Sequence, residues 1–138
     1  MDHSAHEHQL QFLFHPILVH FPIAFYFLEF LLLVFWVWRR DEQYLRFARF
    51  SFVLAYLSMV LAMTAGLRDV GGISNIRGAV RTHVYSAASV FIFYTIRAFL
   101  WRSVKPGFRY RWTHLLGAFI GNVLVVITGY LGGVLVFD

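Results

Sequence analysis

The sequence has no cysteine, and only 14% of its 138 residues are charged. The absence of cysteine excludes a disulfide framework, a cysteine-based metal site and the attachment motif of c-type haem. The shortage of charge excludes an ordinary soluble domain of this length, because about a quarter of such a chain is charged. In place of charge the chain has 59% hydrophobic residues, and 20% of all its residues are aromatic. We therefore expect an integral membrane protein.

The net charge of +5 raises the question of a nucleic-acid partner. Here the basic residues flank apolar runs, as they do in membrane proteins, rather than forming one face of a soluble fold. We predict no nucleic-acid binding. The first residues, MDHSAHEHQLQ, lack the basic segment that opens a cleaved signal peptide, so the first apolar run is expected to be retained.

Four apolar runs are each close to the roughly 20 residues that a helix needs to cross a bilayer. Backbone groups cannot stay unpaired in lipid, so each run is expected to be a helix. The predicted fold is all-α, an integral membrane four-helix bundle. A polar, histidine-containing segment is expected over 1–14, and a four-helix domain over 15–138. The predicted helices are 16–38, 47–67, 83–101 and 112–137.

Lysine and arginine are divided unequally between the two ends of this bundle. The end with the first and third connections, here called the basic end, holds nine, and the opposite end, here called the histidine end, holds three. The positive-inside rule places the basic end in the cytoplasm and both termini in the periplasm, in a bacterial inner membrane. The four tryptophans fall at the basic end, where interfacial anchors are expected: Trp36, Trp38, Trp101 and Trp112.

Two charged residues lie inside predicted helices at matching positions. Glu29 follows His15 by fourteen residues, and Arg97 follows His83 by fourteen residues, about 21 Å along each helix. Both helices run in the same direction, so if the histidines are level the charges are level and can pair. An unpaired carboxylate in mid-span is costly, which makes this position a functional-site hypothesis. The alternative is that Arg97 reaches the basic surface while Glu29 is neutral or faces a partner subunit.

The stretch HPILVHFP, residues 15–22, combines two histidines with two prolines. His20 follows His15 by five positions, which places the two side chains about 140° apart on a regular helix. Pro16 suits the first position of a helix, and Pro22 is expected to kink the chain. We predict that this kink turns His20 inward, toward a pocket at the histidine end.

We predict that this pocket is a site for haem b. Haem b needs imidazole ligands, an apolar slot and cations for its propionates. His20 and His83 are the expected axial pair, with His15 as the alternate. Two arginines are expected to hold the propionates, and three glycines to leave room for the ring: Arg77 and Arg81, and Gly129, Gly132 and Gly133.

Other roles for these residues stay open. The glycines, together with Gly117 and Gly121, also suit close helix packing. The histidines, alone or with Asp69, have the chemistry to bind zinc or copper, and the segment 1–3 has the pattern of a square-planar copper site. His114 lies at the basic end and is expected at the membrane interface.

Four features together resemble a widespread bacterial family of small four-helix membrane proteins that is catalogued as a domain of unknown function. They are HPILVHFP at 15–22, AGLRD at 65–69, the histidine at 83 and TGYLGGVLVF at 128–137. The resemblance implies a four-helix membrane domain, in some relatives joined to or encoded beside redox proteins, which points to b-type haem. The residues that it marks are His15, Pro16, His20, Pro22, Asp69, His83, Gly129, Gly132 and Gly133.

Three functions follow as hypotheses, all in the lipid bilayer. The first is an electron-transfer subunit that binds haem b near the periplasmic face and works between a quinone and a partner redox protein. The second is a non-catalytic membrane subunit or assembly factor of a larger complex. The third is a conduit for a metal or small solute, with Glu29, Arg97 and Asn122 along its path.

Overall fold

A computed structural model describes residues 3–69, 79–104, 109 and 111–137, and the side chains of 18–68, 81–104, 109 and 111–132. Within these ranges all four long elements are helices, and each is long and apolar enough to cross a membrane. The predicted all-α, four-helix membrane bundle is confirmed. The helices are α1 His3–Arg39, α2 Glu42–Asp69, α3 Ala79–Leu100 and α4 Arg111–Phe137, with a 3-10 turn at Trp101–Ser103 after α3.

Helix α1 is longer than the sequence predicted. It begins at His3 rather than at Pro16, and it continues through both Pro16 and Pro22. Its N-terminal part contains good helix formers, Ala5, Glu7 and Leu10 among them, and these extend the helix beyond the apolar run. The division into a polar segment and a four-helix domain stays a prediction.

Two residues join α1 to α2. Arg40 has a φ of 55°, the left-handed conformation that often ends a helix. The next residue, Asp41, accepts a hydrogen bond on Oδ1 from the backbone N–H of Gln43 at 2.9 Å, so it caps the start of α2. This short connection makes α1 and α2 an antiparallel pair.

The helices do not pack equally on one another. Helix α1 lies along α2 over the most extensive interface, and α4 packs against both α1 and α3. Helices α2 and α3 meet only slightly. The bundle is therefore closed through α1 and α4, and it is more open between α2 and α3.

Aromatic rings fill the middle of the bundle. Tyr26 of α1 and Tyr94 of α3 are fully buried, and their rings stack with centroids 3.6 Å apart. Phe52 of α2 meets Tyr26 edge-on at 5.9 Å. Large apolar side chains, including Phe50, Leu61 and Val126, are exposed on the outside. These side chains face the lipid bilayer, since the four helices are membrane spans.

Candidate functional site

A buried ion pair joins α1 to α3. The guanidinium of Arg97 donates from Nη1 to Oε1 of Glu29 at 2.9 Å and from Nη2 to Oε2 at 3.0 Å. Glu29 is 0% exposed and Arg97 is 3% exposed. The predicted pairing is confirmed, and the alternative in which Arg97 reaches the surface is wrong. Two parallel bonds in a fork are the strongest geometry for such a pair.

Trp101 is a third member of this group that the sequence did not reveal. Its indole Nε1–H donates to Oε2 of Glu29 at 3.1 Å. The side chain is buried, so the prediction that Trp101 is an interfacial anchor is wrong. Trp36 is also buried, whereas Trp38 and Trp112 are exposed. Trp101 is the first residue of the 3-10 turn that follows α3.

Arg49 of α2 holds this turn in place. Its Nη2 donates to the carbonyl oxygens of Trp101 at 2.9 Å and Val104 at 3.2 Å. Its guanidinium also lies 5.5 Å from the centre of the Trp101 ring. The carbonyl of Trp101 also accepts the backbone N–H of Val104 at 3.2 Å, so the arginine reinforces the turn that follows α3.

Aromatic rings surround the guanidinium of Arg97. Its Cζ lies 5.3 Å from the ring centre of Phe52 and 5.6 Å from that of Tyr94. Such cation–π contacts strengthen as water is removed. The charge of Arg97 is thus met by a carboxylate on one side and by aromatic faces on the other.

His114 lies beside this group, at the start of α4. Its side chain is 8% exposed, and its ring meets Trp101 edge-on at 4.5 Å with an angle of 89°. The expectation of an interfacial histidine is wrong. This ring contact brings the first turn of α4 beside the 3-10 turn at Trp101. We call Glu29, Arg97, Trp101 and His114 the inner cluster.

Smaller polar contacts tie the remaining helices together. Ser51 of α2 donates to the carbonyl of Phe25 in α1 at 2.7 Å. Asn122 of α4 donates from Nδ2 to the carbonyl of Tyr26 at 3.3 Å and to that of Ala118 at 2.9 Å. Two further contacts involve α3: Tyr56 with Thr95 at 3.0 Å, and Ser86 with Thr128 at 2.6 Å.

At the histidine end, the structure brings one predicted pair of residues together. A methyl group on Gly132 would lie 2.9 Å from Cε1 of His83, so α4 comes close to this ring. At Gly129 the nearest neighbour of such a group is Cδ1 of Ile23, at 3.9 Å. His83 is half-buried and His20 is exposed.

The other residues predicted to bind haem are either exposed or outside the described side chains. Arg81 is exposed and donates to the hydroxyl of Tyr85 at 3.0 Å. Arg77 lies outside the described residues, and the side-chain positions of His15, Asp69 and Gly133 also fall outside them. Among the side chains that are described, no three histidines or carboxylates lie close enough together to hold a metal ion.

The fold and the inner cluster define an integral membrane protein built around a buried ion pair. The chain belongs to the DUF2231 family of predicted membrane proteins, whose family model matches residues 12–138. This match agrees with the resemblance to a membrane family of unknown function. No curated protein and no solved structure matches the chain.

Proposed function

We propose that this protein is a non-catalytic subunit of a larger membrane complex, in which its bundle holds other components at fixed positions. The observation that carries the proposal is that the buried carboxylate of Glu29 is fully engaged by protein groups. Its two carboxylate oxygens accept three hydrogen bonds, two from Arg97 and one from Trp101. A buried carboxylate with these partners is suited to fixing helix positions rather than to meeting a substrate.

The other polar contacts of the interior support the same role. Ser51, Asn122 and Tyr56 each bond to a neighbouring helix. Hydrogen bonds of this kind fix the relative positions of membrane helices. The same contacts weigh against a conduit along Glu29, Arg97 and Asn122, since each of these side chains already bonds to protein groups.

Mild extraction from native membranes tests this proposal. We expect a particle larger than one 16.1 kDa chain, with another membrane protein present at a fixed ratio and no haem absorbance. Arg97→Gln should reduce the amount of this particle, whereas Arg46→Gln, on an exposed arginine of the same end, should leave it unchanged. Recovery of a lone, colourless chain from membranes at every detergent concentration would contradict the proposal.

A second candidate is a haem b electron carrier at the histidine end, working between a quinone and a periplasmic redox protein. The close approach of His83 to the glycine surface of α4 supports it. His20 and His83 would hold the iron, with His15 as the alternate, and Arg77 and Arg81 would bind the propionates. Haem b would supply one-electron transfer. The exposed position of His20 does not fit this group as it stands, because an axial ligand must face the interior.

The optical spectrum separates the two candidates. A Soret band that shifts on reduction and disappears in His83→Ala would favour the haem carrier. A colourless preparation from cells supplied with haem would exclude it, whatever its partners are.

We also propose that the protein lies in a bacterial inner membrane with both termini in the periplasm. Without the buried Arg97, eight basic residues at one end against three at the other support this orientation. Because the chain has no cysteine, single cysteines report on each side without background. Arg68→Cys should react with an impermeant maleimide in spheroplasts, and Asp41→Cys should react only after permeabilisation. The reverse pattern would overturn the orientation.

A further inference from the structure

A groove lies between α2 and α3, two helices that contact each other only slightly. Its volume is about 240 Å³, and its walls are formed mainly by apolar side chains, including Phe52, Val53, Leu57 and Ala98. The groove meets the inner cluster at Trp101, which lines it, and at Phe52, whose ring also lies against the guanidinium of Arg97. Its position follows from the weak packing of α2 on α3.

The lining residues of α2 form one stripe along the helix. They lie at Arg49, at 52–53 and at 56–57, the spacing that keeps side chains on one helical face. From Arg49 to Leu57 this stripe runs about 12 Å toward the bilayer centre. On the α3 side the small side chain of Ala98 leaves the space open. The groove therefore has the length of part of a lipid chain.

Positive charge is concentrated at one end of the groove. Arg49 and Arg102 line it there, and both are exposed. No acidic residue is among the lining residues. Arg49 is fixed by its bonds to the carbonyls of Trp101 and Val104. Farther along, the hydroxyl of Tyr56 bonds to Thr95 within the protein, so the deeper part offers mainly apolar surface.

We propose that this groove binds an anionic phospholipid, with the phosphate on Arg49 and Arg102 and one acyl chain along α2. Arginine suits phosphate because its planar guanidinium donates several hydrogen bonds to oxygen. At Arg49, whose Nη2 already donates to two carbonyls, Nη1 and Nε would serve the phosphate. An apolar channel that ends in two cations matches an amphiphile with a negative head. A neutral quinone would leave both cations without a counter-charge, so the charge favours the phospholipid.

Tryptophan fluorescence tests this site, because Trp101 lines the groove. Trp38→Phe and Trp112→Phe remove the two exposed tryptophans and leave Trp101 and the buried Trp36. Brominated phosphatidylglycerol, mixed into phosphatidylcholine bilayers, should quench the remaining fluorescence at about five-fold lower mole fraction than brominated phosphatidylcholine. A charge near the membrane surface contributes about this factor.

Two pairs of variants distinguish specific lipid binding in the groove from general attraction of anionic lipid to a basic surface. Arg102→Gln and Ala98→Leu should each remove the preference for phosphatidylglycerol. Their matched controls, Arg46→Gln and Ile96→Phe on exposed positions, should keep it.

Three results would overturn the proposal. The first is equal quenching by the two lipids. The second is an equal loss of preference in Arg46→Gln and Arg102→Gln, which indicates surface charge alone. The third is displacement of phosphatidylglycerol by an equal amount of a short-chain benzoquinone, which assigns the groove to a quinone.

Discussion

The two halves of the bundle use polar residues in different ways. Toward the basic end, Arg97 and Trp101 both donate to the carboxylate of Glu29, and these bonds join α1 to the end of α3 and the turn that follows it. At the histidine end, His83 lies against Gly132 while His20 is exposed. A charge in lipid must find a partner, so the position of one charge predicts the other. The histidine positions give no such rule, and the neighbours of their rings are harder to predict.

If the inner cluster fixes the bundle, removing the guanidinium should have the largest effect. Arg97→Met leaves the Glu29 carboxylate buried without its partner. We expect the free energy of unfolding in mixed micelles to fall by about 3–5 kcal/mol, as when a buried ion pair loses one member. Arg46→Gln, on an exposed arginine of the same end, should change it by less than about 0.5 kcal/mol. A loss below about 1 kcal/mol in Arg97→Met would mean that the pair is not desolvated.

The indole of Trp101 should contribute the next largest share. Trp101→Phe keeps most of the ring and removes the bond to Glu29. Hydrogen bonds to charged groups contribute about 1.5–3 kcal/mol, and thermal unfolding in detergent should register a loss of this order. The exposed Trp112 provides the control, because Trp112→Phe removes an indole that is not in the cluster. Equal losses in the two variants would indicate that Trp101 acts only by packing.

Substitutions at the glycines of α4 compare the two halves, because the space around each glycine differs. A methyl group at Gly121 would meet the hydroxyl of Tyr94, which is buried in the aromatic stack and cannot easily move. Gly121→Ala should therefore lower the free energy of unfolding by about 1–3 kcal/mol. Gly129→Ala makes only an ordinary contact with Ile23 at 3.9 Å, and the better helix former should raise stability by about 0.5–1 kcal/mol.

Gly132→Ala completes this series at the histidine end. Its methyl group would press on the His83 ring, a half-buried side chain, so the change in the free energy of unfolding should fall between the loss in Gly121→Ala and the gain in Gly129→Ala. Denaturant titration of the three variants side by side gives the order. A larger loss at Gly132 than at Gly121 would reverse the comparison, since it would make the histidine end the more rigid half.

A single neutral hydrogen bond should have the smallest effect. Ser51→Ala removes the bond to the carbonyl of Phe25 and should lower the free energy of unfolding by about 0.6 kcal/mol, the average for such bonds in membrane proteins. Thr64→Val is a suitable control, because Thr64 bonds to Val60 within its own helix. The same unfolding assay would contradict the interhelical role of Ser51 if both variants lost equally.

The fold and the central ion pair followed from the sequence because the physics behind each is simple. Four apolar runs of bilayer length can only be helices. Equal spacing of Glu29 and Arg97 from His15 and His83 placed two charges at one depth. These inferences needed only the rise per residue of a helix and the cost of leaving backbone groups or charges unpaired in lipid.

The rest of the inner cluster could not be read in the same way. Trp101 and His114 were expected at the membrane surface because their positions along the chain suit anchors. Their burial depends on the 3-10 turn after α3 and on the packing of α4 against it. Arg49 bonds to the carbonyls of Trp101 and Val104 at this turn. No sequence pattern identifies such a tertiary contact.

A double-mutant cycle on Glu29 and Arg97 tests most directly whether the two charges act as a unit. The free energy of unfolding is measured for the wild type, Glu29→Leu, Arg97→Met and the double variant. We predict that the double variant is more stable than Arg97→Met, because it no longer buries an unpaired charge. Losses that add to within about 0.5 kcal/mol would contradict the account, since independent sites behave in that way.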